Sequence, residues 1–396
     1  MITGAGVVSP IGNCFEDFLA GIEQGRKGIG TMKSFDTAHL PCALGAEVKA
    51  GPDAARDSAV DAKELFIRQA MAELLRGNAF FAASERGSRV LNLGAGLDYF
   101  DLQNYTGSQA SQTGKWQQYS RNTHLLAGKL AELYEIEGGY SVNVSACVAA
   151  SQAIGLSYRM LKNTSAPLVI VAGGFDSMLN PLHYLGFYKL GAFSNWQGSP
   201  AEACRPFDKN RSGLVLGEGA AVFLLQKAAD AAPDNILAEI AGYASTMDAY
   251  LVTDPEPSGK LLAQAALAAI KEAGITPDEI DGVHLHGTGT IKNDLAETAA
   301  LKIIFGKKYS SIPVFSLKGQ IGHLIGACGA LELAGAIYSI LRQKMPPTVN
   351  FTQADPEIGL RVIKDQPLEM KINYLLKLNA AFGGQNTAIV VKRHGT

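Results

Sequence analysis

The sequence predicts an α/β protein. Short apolar runs bounded by Gly alternate with longer stretches whose apolar residues recur at helical spacing, and this alternation persists along 396 residues. Taken in order, "RVLNLGAG" (89–96) reads as a strand ending in a turn. "YSVNVSA" (140–146) is strand-like, and "CVAASQAIGLSYRMLKN" (147–163) is helical. "PLVIVAGGF" (167–175) is again strand then turn, and "GLVLGEGAAVFLLQK" (213–227) reads as a hairpin-like pair of strands. "SGKLLAQAALAAIKEAG" (258–274) is a helix closed by Gly, a common stop signal. "IDGVHLHGTG" (280–289) returns to strand and turn. "GACGALELAGAIYSILRQ" (326–343) is a helix of small residues, suited to close packing between other elements. "LEMKINYLLKLNAAFGGQNTAIVVKR" (368–393) closes the series with strands about a Gly turn. A soft seam at 226–242 separates two similar series of elements, which suggests two related halves packed as one unit.

Composition removes several function classes. The chain is 47% hydrophobic, ample for a large core, and its 35 Lys+Arg nearly balance 37 Asp+Glu. No broad basic field points to nucleic acid. No apolar run reaches the roughly 18–20 residues a bilayer span needs. The start of the chain lacks the basic region of a signal peptide. Five widely spaced Cys and no C-x-x-C pair favour a reducing cytoplasm over a disulfide framework or a zinc site. Two Gly-rich stretches begin like dinucleotide fingerprints, but Ser9 and Tyr99 stand where the third Gly belongs.

Four stretches carry candidate chemistry. Cys147 sits where a strand passes into a helix. A helix start favours a thiolate and offers N–H groups to an oxyanion; a buried structural Cys fits the same stretch. His286, in "VHLHGTGTIKNDLAET" (283–298), enters a turn where Gly permits close approach and Thr288 and Thr290 offer hydroxyls. Lys318 and His323 lie in "SLKGQIGHLIGACGA" (316–330), where apolar surroundings would favour a neutral His. Phe382, in "NAAFGGQN" (379–386), heads a turn whose N–H groups either line a site or close an ordinary hairpin.

Together these stretches resemble the elongating β-ketoacyl-[acyl carrier protein] synthases, condensing enzymes of the thiolase superfamily. The resemblance spans nearly the whole chain and includes "ITGAGVVSPIGN", "NTHLLAGKLAELYEIEGGYSVNVSACVAASQAI" and "CRPFDKNRSGLVLGEGAAVFLL". It implies a thiolase-like five-layered αβαβα fold of two similar βαβαβαββ halves, 1–230 and 231–396, forming one compact unit. It implies Cys147 as nucleophile, His286 and His323 as the catalytic pair, and Lys318 with Glu297 holding and tuning the site. The N–H groups of Cys147 and Phe382 would form the oxyanion hole, and Thr288 and Thr290 would contact the phosphopantetheine arm. The partner would be an acyl carrier protein, which delivers that arm, so no metal or other cofactor is expected. A homodimer is expected, or a heterodimer with a related subunit.

The His pair separates this chain from priming enzymes, which resemble Cys-His-Asn, and from thiolases, which carry a second catalytic Cys near the C-terminus. A chain-length-factor-like subunit and a thiolase acting on coenzyme A esters are the competing readings. The chain departs from the family at Ala380, where a bulky gating Phe is expected, at Ala381 in place of Gly, and over residues 97–120. These changes touch the acyl pocket and suggest a specialised acyl product, such as a polyene. Carrier proteins are acidic, so a basic patch is expected; Lys63 and Arg68 in "DAKELFIRQAMAELLR" (61–76) are candidates, although helical charges commonly just face solvent.

Overall fold

The computed structural model describes residues 1–38, 40, 42–49, 61–97, 99–100 and 120–396. The first large sheet orders its strands Ile2–Val8, Glu218–Leu225, Val169–Ser177, Arg89–Ala95 and Tyr140–Val144. The second orders Glu239–Met247, Gln385–Lys392, Tyr374–Ala380, Gly282–His284, Pro313–Phe315 and Arg361–Val362. Read across either sheet, the first four pairings run antiparallel, antiparallel, parallel, parallel. One architecture is laid down twice.

Parallel neighbours require long crossovers, and helices supply them. Two of these helices, Ala149–Asn163 and Cys328–Arg342, pack against strands of both sheets and against each other. They form a middle layer. Helices Ala62–Leu75 and Thr123–Leu133 cover the outer face of the first sheet, and Lys260–Glu272 that of the second. The order is therefore helix, sheet, helix, sheet, helix. Strands Arg89–Ala95, Val169–Ser177 and Glu218–Leu225 are buried along their whole length, as coverage of both faces demands. Small residues let the middle helices meet. A Cβ on Gly329 would lie 2.3 Å from Ser151 Oγ. Among the described residues, the one stretch long and apolar enough to suit a bilayer, Ile325–Arg342, is 89% buried inside the molecule.

Two expectations change. "GLVLGEGAAVFLLQK" is not a hairpin. Only Glu218–Leu225 joins the sheet; Leu214 and Leu216 make isolated bridges to Phe193 and His323, carrying the chain to the site instead of back along the strand. Lys63 is buried: its ammonium pairs with Asp176 at 3.0 Å and donates to the Leu97 carbonyl at 2.7 Å, so it offers a partner nothing. Arg68 is half-buried and pairs with Glu64 one turn away at 2.7 Å. Most of the divergent segment 97–120 lies outside the described residues.

Candidate active site

The nucleophile candidate sits at a forced turn. Strand Tyr140–Val144 ends, and Ala146–Val148 forms one tight 3-10 turn before helix Ala149–Asn163 begins. Ala146 has φ of 49°, a left-handed conformation that costs a non-Gly residue energy and recurs at functional turns. The mirror position in the second half repeats it: Ile325 has φ of 45° in the turn before helix Cys328–Arg342. Cys147 is buried, and the Phe382 N–H is directed at its sulfur. Burial pushes the thiol up to about 12, although the Lys318 charge and the Phe382 N–H act the other way. Burial thus outweighs the acidifying effect expected of a helix start, and the resting group is a thiol.

His286 lies two residues past strand Gly282–His284, in the turn of which Gly287 is part. Gly287 has φ of 45°, and a Cβ there would meet the Ser316 side chain at 2.6 Å. The Lys318 ammonium donates to three acceptors: the His286 carbonyl at 2.5 Å, His286 Nδ1 at 3.0 Å and the Glu332 carboxylate. The Asn379 amide also faces His286 Nδ1, at 3.2 Å. An ammonium cannot accept, so Nδ1 is the acceptor and the imidazole proton resides on Nε2. Burial, reinforced by the Lys318 charge, holds His286 well below the usual histidine range, so it stays neutral.

His323 reaches the same state differently. Its Nδ1 accepts from the Ile325 N–H at 3.1 Å, and the Cys328 thiol lies 3.4 Å away. Burial, then Lys318, holds it neutral as well. The two rings stand 5.2 Å apart and nearly perpendicular. Ligand atoms of Cys147, His286 and His323 lie within 4.8 Å of one another. That spacing would suit a small metal ion, but imidazoles protonated at Nε2 offer donors on that edge instead of lone pairs.

These side chains line a cavity of about 320 Å³. Thr288, Thr290, Ala380, Ala381 and Phe382 share its wall, and the Thr288 and Thr290 hydroxyls bond each other at 2.8 Å. The Phe382 ring stacks on Phe187 at 6.4 Å.

Glu297 holds the site through the backbone. Its carboxylate accepts the N–H groups of His286 and Gly287 at 2.6 and 2.7 Å, which ties the His286 turn to helix Ile291–Phe305. Burial, then nearby Asp294, pushes it up to about 8. The ion-pair partner of Lys318 is Glu332, in the middle helix. Sequence reasoning missed Glu332 and, beside it, Lys377 and Asn379 in strand Tyr374–Ala380. A signal existed: each charge interrupts an apolar run, in "GALELAGAI" and "YLLKLNA".

Residues 1–231 match the N-terminal domain, and residues 237–352 the C-terminal domain, of β-ketoacyl synthases. The chain belongs to the β-ketoacyl synthase family. It is 32% identical to a 3-oxoacyl-[acyl-carrier-protein] synthase 2 of Synechocystis, over all of this chain and 98% of that one. A β-ketoacyl synthase structure from Burkholderia phymatum covers 99% of this chain and 98% of its own, with a TM-score of 0.85 and 29% identity. A second solved structure, of a type II polyketide acyl carrier protein in complex with its ketosynthase bound to the hexaketide, matches with TM-score 0.84 and 25% identity, covering 99% of this chain and 98% of that one. The five layers are thus the thiolase-like fold of these ketosynthases. The protein is an elongating β-ketoacyl-[acyl carrier protein] synthase, an acyltransferase that condenses an acyl group with a malonyl carrier in fatty acid or polyketide biosynthesis.

Proposed function

We propose that Cys147 carries the acyl group and that His286 and His323 together stabilise the enolate formed when the malonyl group loses CO2. The observation that carries this reading is the pair of imidazoles held neutral, each with Nδ1 occupied as an acceptor, beside a buried thiol. In the first half-reaction the Cys147 sulfur attacks the carrier thioester. Its proton is balanced by the one the departing pantetheine thiol takes up. N–H groups of Cys147 and Phe382 stabilise the tetrahedral oxyanion. In the second, the malonyl carboxylate leaves as CO2. The electron pair moves toward the thioester oxygen, where both Nε2–H groups donate to it. The α-carbon then attacks the acyl carbonyl, the C–S bond breaks, and the Cys147 thiolate regains a proton from solvent, the one proton the condensation consumes.

Thr288 and Thr290, on the cavity wall, suit the polar phosphopantetheine arm, which the carrier delivers and which makes a resident cofactor unnecessary. The seam at 226–242 begins after the last strand of one sheet and runs into the first of the other, which supports halves at 1–230 and 231–396. Strand Tyr140–Val144 lies at a sheet edge with Tyr140 and Val144 exposed, which supports a dimer built on that edge, homomeric or with a related subunit. Five free cysteines support a reducing cytoplasm. Ala380 and Ala381 in the cavity wall support a specialised acyl substrate over the housekeeping role. Comparable turnover of saturated medium and long acyl carriers, with none of unsaturated ones, would count against that.

The test separates the half-reactions. Intact mass after incubation with acyl carriers should rise by one acyl group in the wild type and not in Cys147→Ala. CO2 release from malonyl carrier should persist in Cys147→Ala and collapse in His286→Ala. Acylation of the Cys147→Ala protein would overturn the assignment.

A further inference from the structure

A second lysine is buried in the site, and the mechanism above leaves it without a task. Lys377, 1% exposed, projects from strand Tyr374–Ala380. Its ammonium donates to Ser151 Oγ at 2.9 Å and to Asn379 Oδ1, and lies 3.8 Å from the Glu332 carboxylate. Glu332 therefore faces two ammonium groups, Lys318 on one oxygen and Lys377 near the other. The cluster holds two positive charges against one negative.

The same contacts orient the Asn379 amide. Its oxygen faces the Lys377 ammonium and the Ser151 hydroxyl, and its nitrogen faces Glu332 and His286 Nδ1. A flipped amide would set oxygen against carboxylate and NH2 against ammonium. Lys377 thus enforces at the oxygen what Glu332 enforces at the nitrogen; Ser151 adds less, because a hydroxyl both donates and accepts.

Resting on the enolate role of His286, we propose that Lys377 is a positioning residue for the decarboxylating step: through Asn379 it secures His286 as an Nε2 donor, and its charge leaves Lys318 only partly neutralised by Glu332. A site with one excess positive charge disfavours a protonated His286 and favours the anionic enolate. The groups facing Lys377 are Glu332 and Cys328 from the middle helix, Lys318 from its short helix, and His284 and His286 from the adjoining strand and turn. Burial, with Lys318 acting in the same direction, lowers Lys377 to about 8, against the pull of Glu332. Its charge is present at neutral pH and fades as pH rises through about 8.

The experiment compares wild type with Lys377→Met in both half-reactions. CO2 release from malonyl carrier should fall on the order of ten-fold in kcat, with KM changed by less than about two-fold. Cys147 acylation should fall by a smaller factor. Wild-type CO2 release should decline above about pH 8, and that limb should vanish in the variant. Equal losses in the two half-reactions, no loss, or a limb that survives in the variant would each overturn the role. If Lys377→Met does not accumulate folded, Lys377→Gln gives the same readings. A wild type that is acylated yet releases no CO2 would instead refute the His pair's function, a distinct result.

Discussion

Replacing Lys377 by Met tests the electrostatics of the site through stability alone. The lysine sits in the folded protein at about 8, against an ordinary 10.5. The unfolded chain therefore binds this proton more tightly. Between pH 8 and 10.5 it holds more protons than the native state, so this group's contribution to stability rises with pH across that window. The difference is about 2.5 pKa units, worth ~3 kcal/mol at about 1.4 kcal/mol per unit. Below pH 8 the native protein bears that full cost of a buried ammonium. Met has similar length and no charge, and it leaves Asn379 Oδ1 with Ser151 and Glu332 with Lys318 and Asn379. Apolar replacement of a buried charge is often neutral or stabilising under such conditions. The assay is urea denaturation of both proteins from pH 7 to 10.5. The stability of Lys377→Met relative to wild type should be greater at pH 7 than at pH 10.5 by ~3 kcal/mol. A relative stability that is flat with pH would refute the reasoning.

The other predictions concern neighbours of that network. Glu332→Gln leaves two ammonium groups without their carboxylate and should cost about 3–5 kcal/mol by the same denaturation assay. His323→Ala removes one donor to the enolate oxygen and should slow CO2 release about 10²–10³-fold, while Cys147 acylation, read by mass, survives. Ala380→Phe restores bulk to the cavity wall and should lower the yield of long-chain acyl-Cys147 more than that of short-chain in a competition between carriers. Lys63→Met should leave carrier affinity unchanged, because the ammonium is spent on Asp176; weakened binding at unaltered stability would contradict its burial.

Much of the fold was legible because its strands are short, apolar and closed by Gly, a pattern that local reading catches. The hairpin misreading of 213–227 arose because Leu214 and Leu216 are apolar yet pair with loops from distant parts of the chain, which no local pattern encodes. Cys147, His286 and His323 were legible from their order and company. Their tautomers were not, since these depend on Lys318, Asn379 and the Ile325 N–H, contributed by separate elements. Glu297 is legible as a holding residue from its motif, but its partners, the His286 and Gly287 N–H groups, and the Glu332 carboxylate that meets Lys318 from the middle helix are not. The balance at the thiol is not legible for a related reason: a helix start is visible in sequence, but the depth of burial that offsets it is not. Lys63 reads as a surface charge because helical charges commonly face solvent, and only Asp176, in a strand 113 positions later, reveals that it points inward.

One measurement tests the central claim most directly. The enzyme is first loaded with a single acyl group at Cys147, freed of donor, and mixed with malonyl carrier, and the masses of both proteins are followed. The enzyme should lose the acyl group while the carrier becomes the β-ketoacyl form, its malonyl group extended by that acyl chain and short of one CO2. An acyl group that stays on the enzyme while the carrier remains malonyl-bearing, or is merely decarboxylated, would contradict condensation at this site.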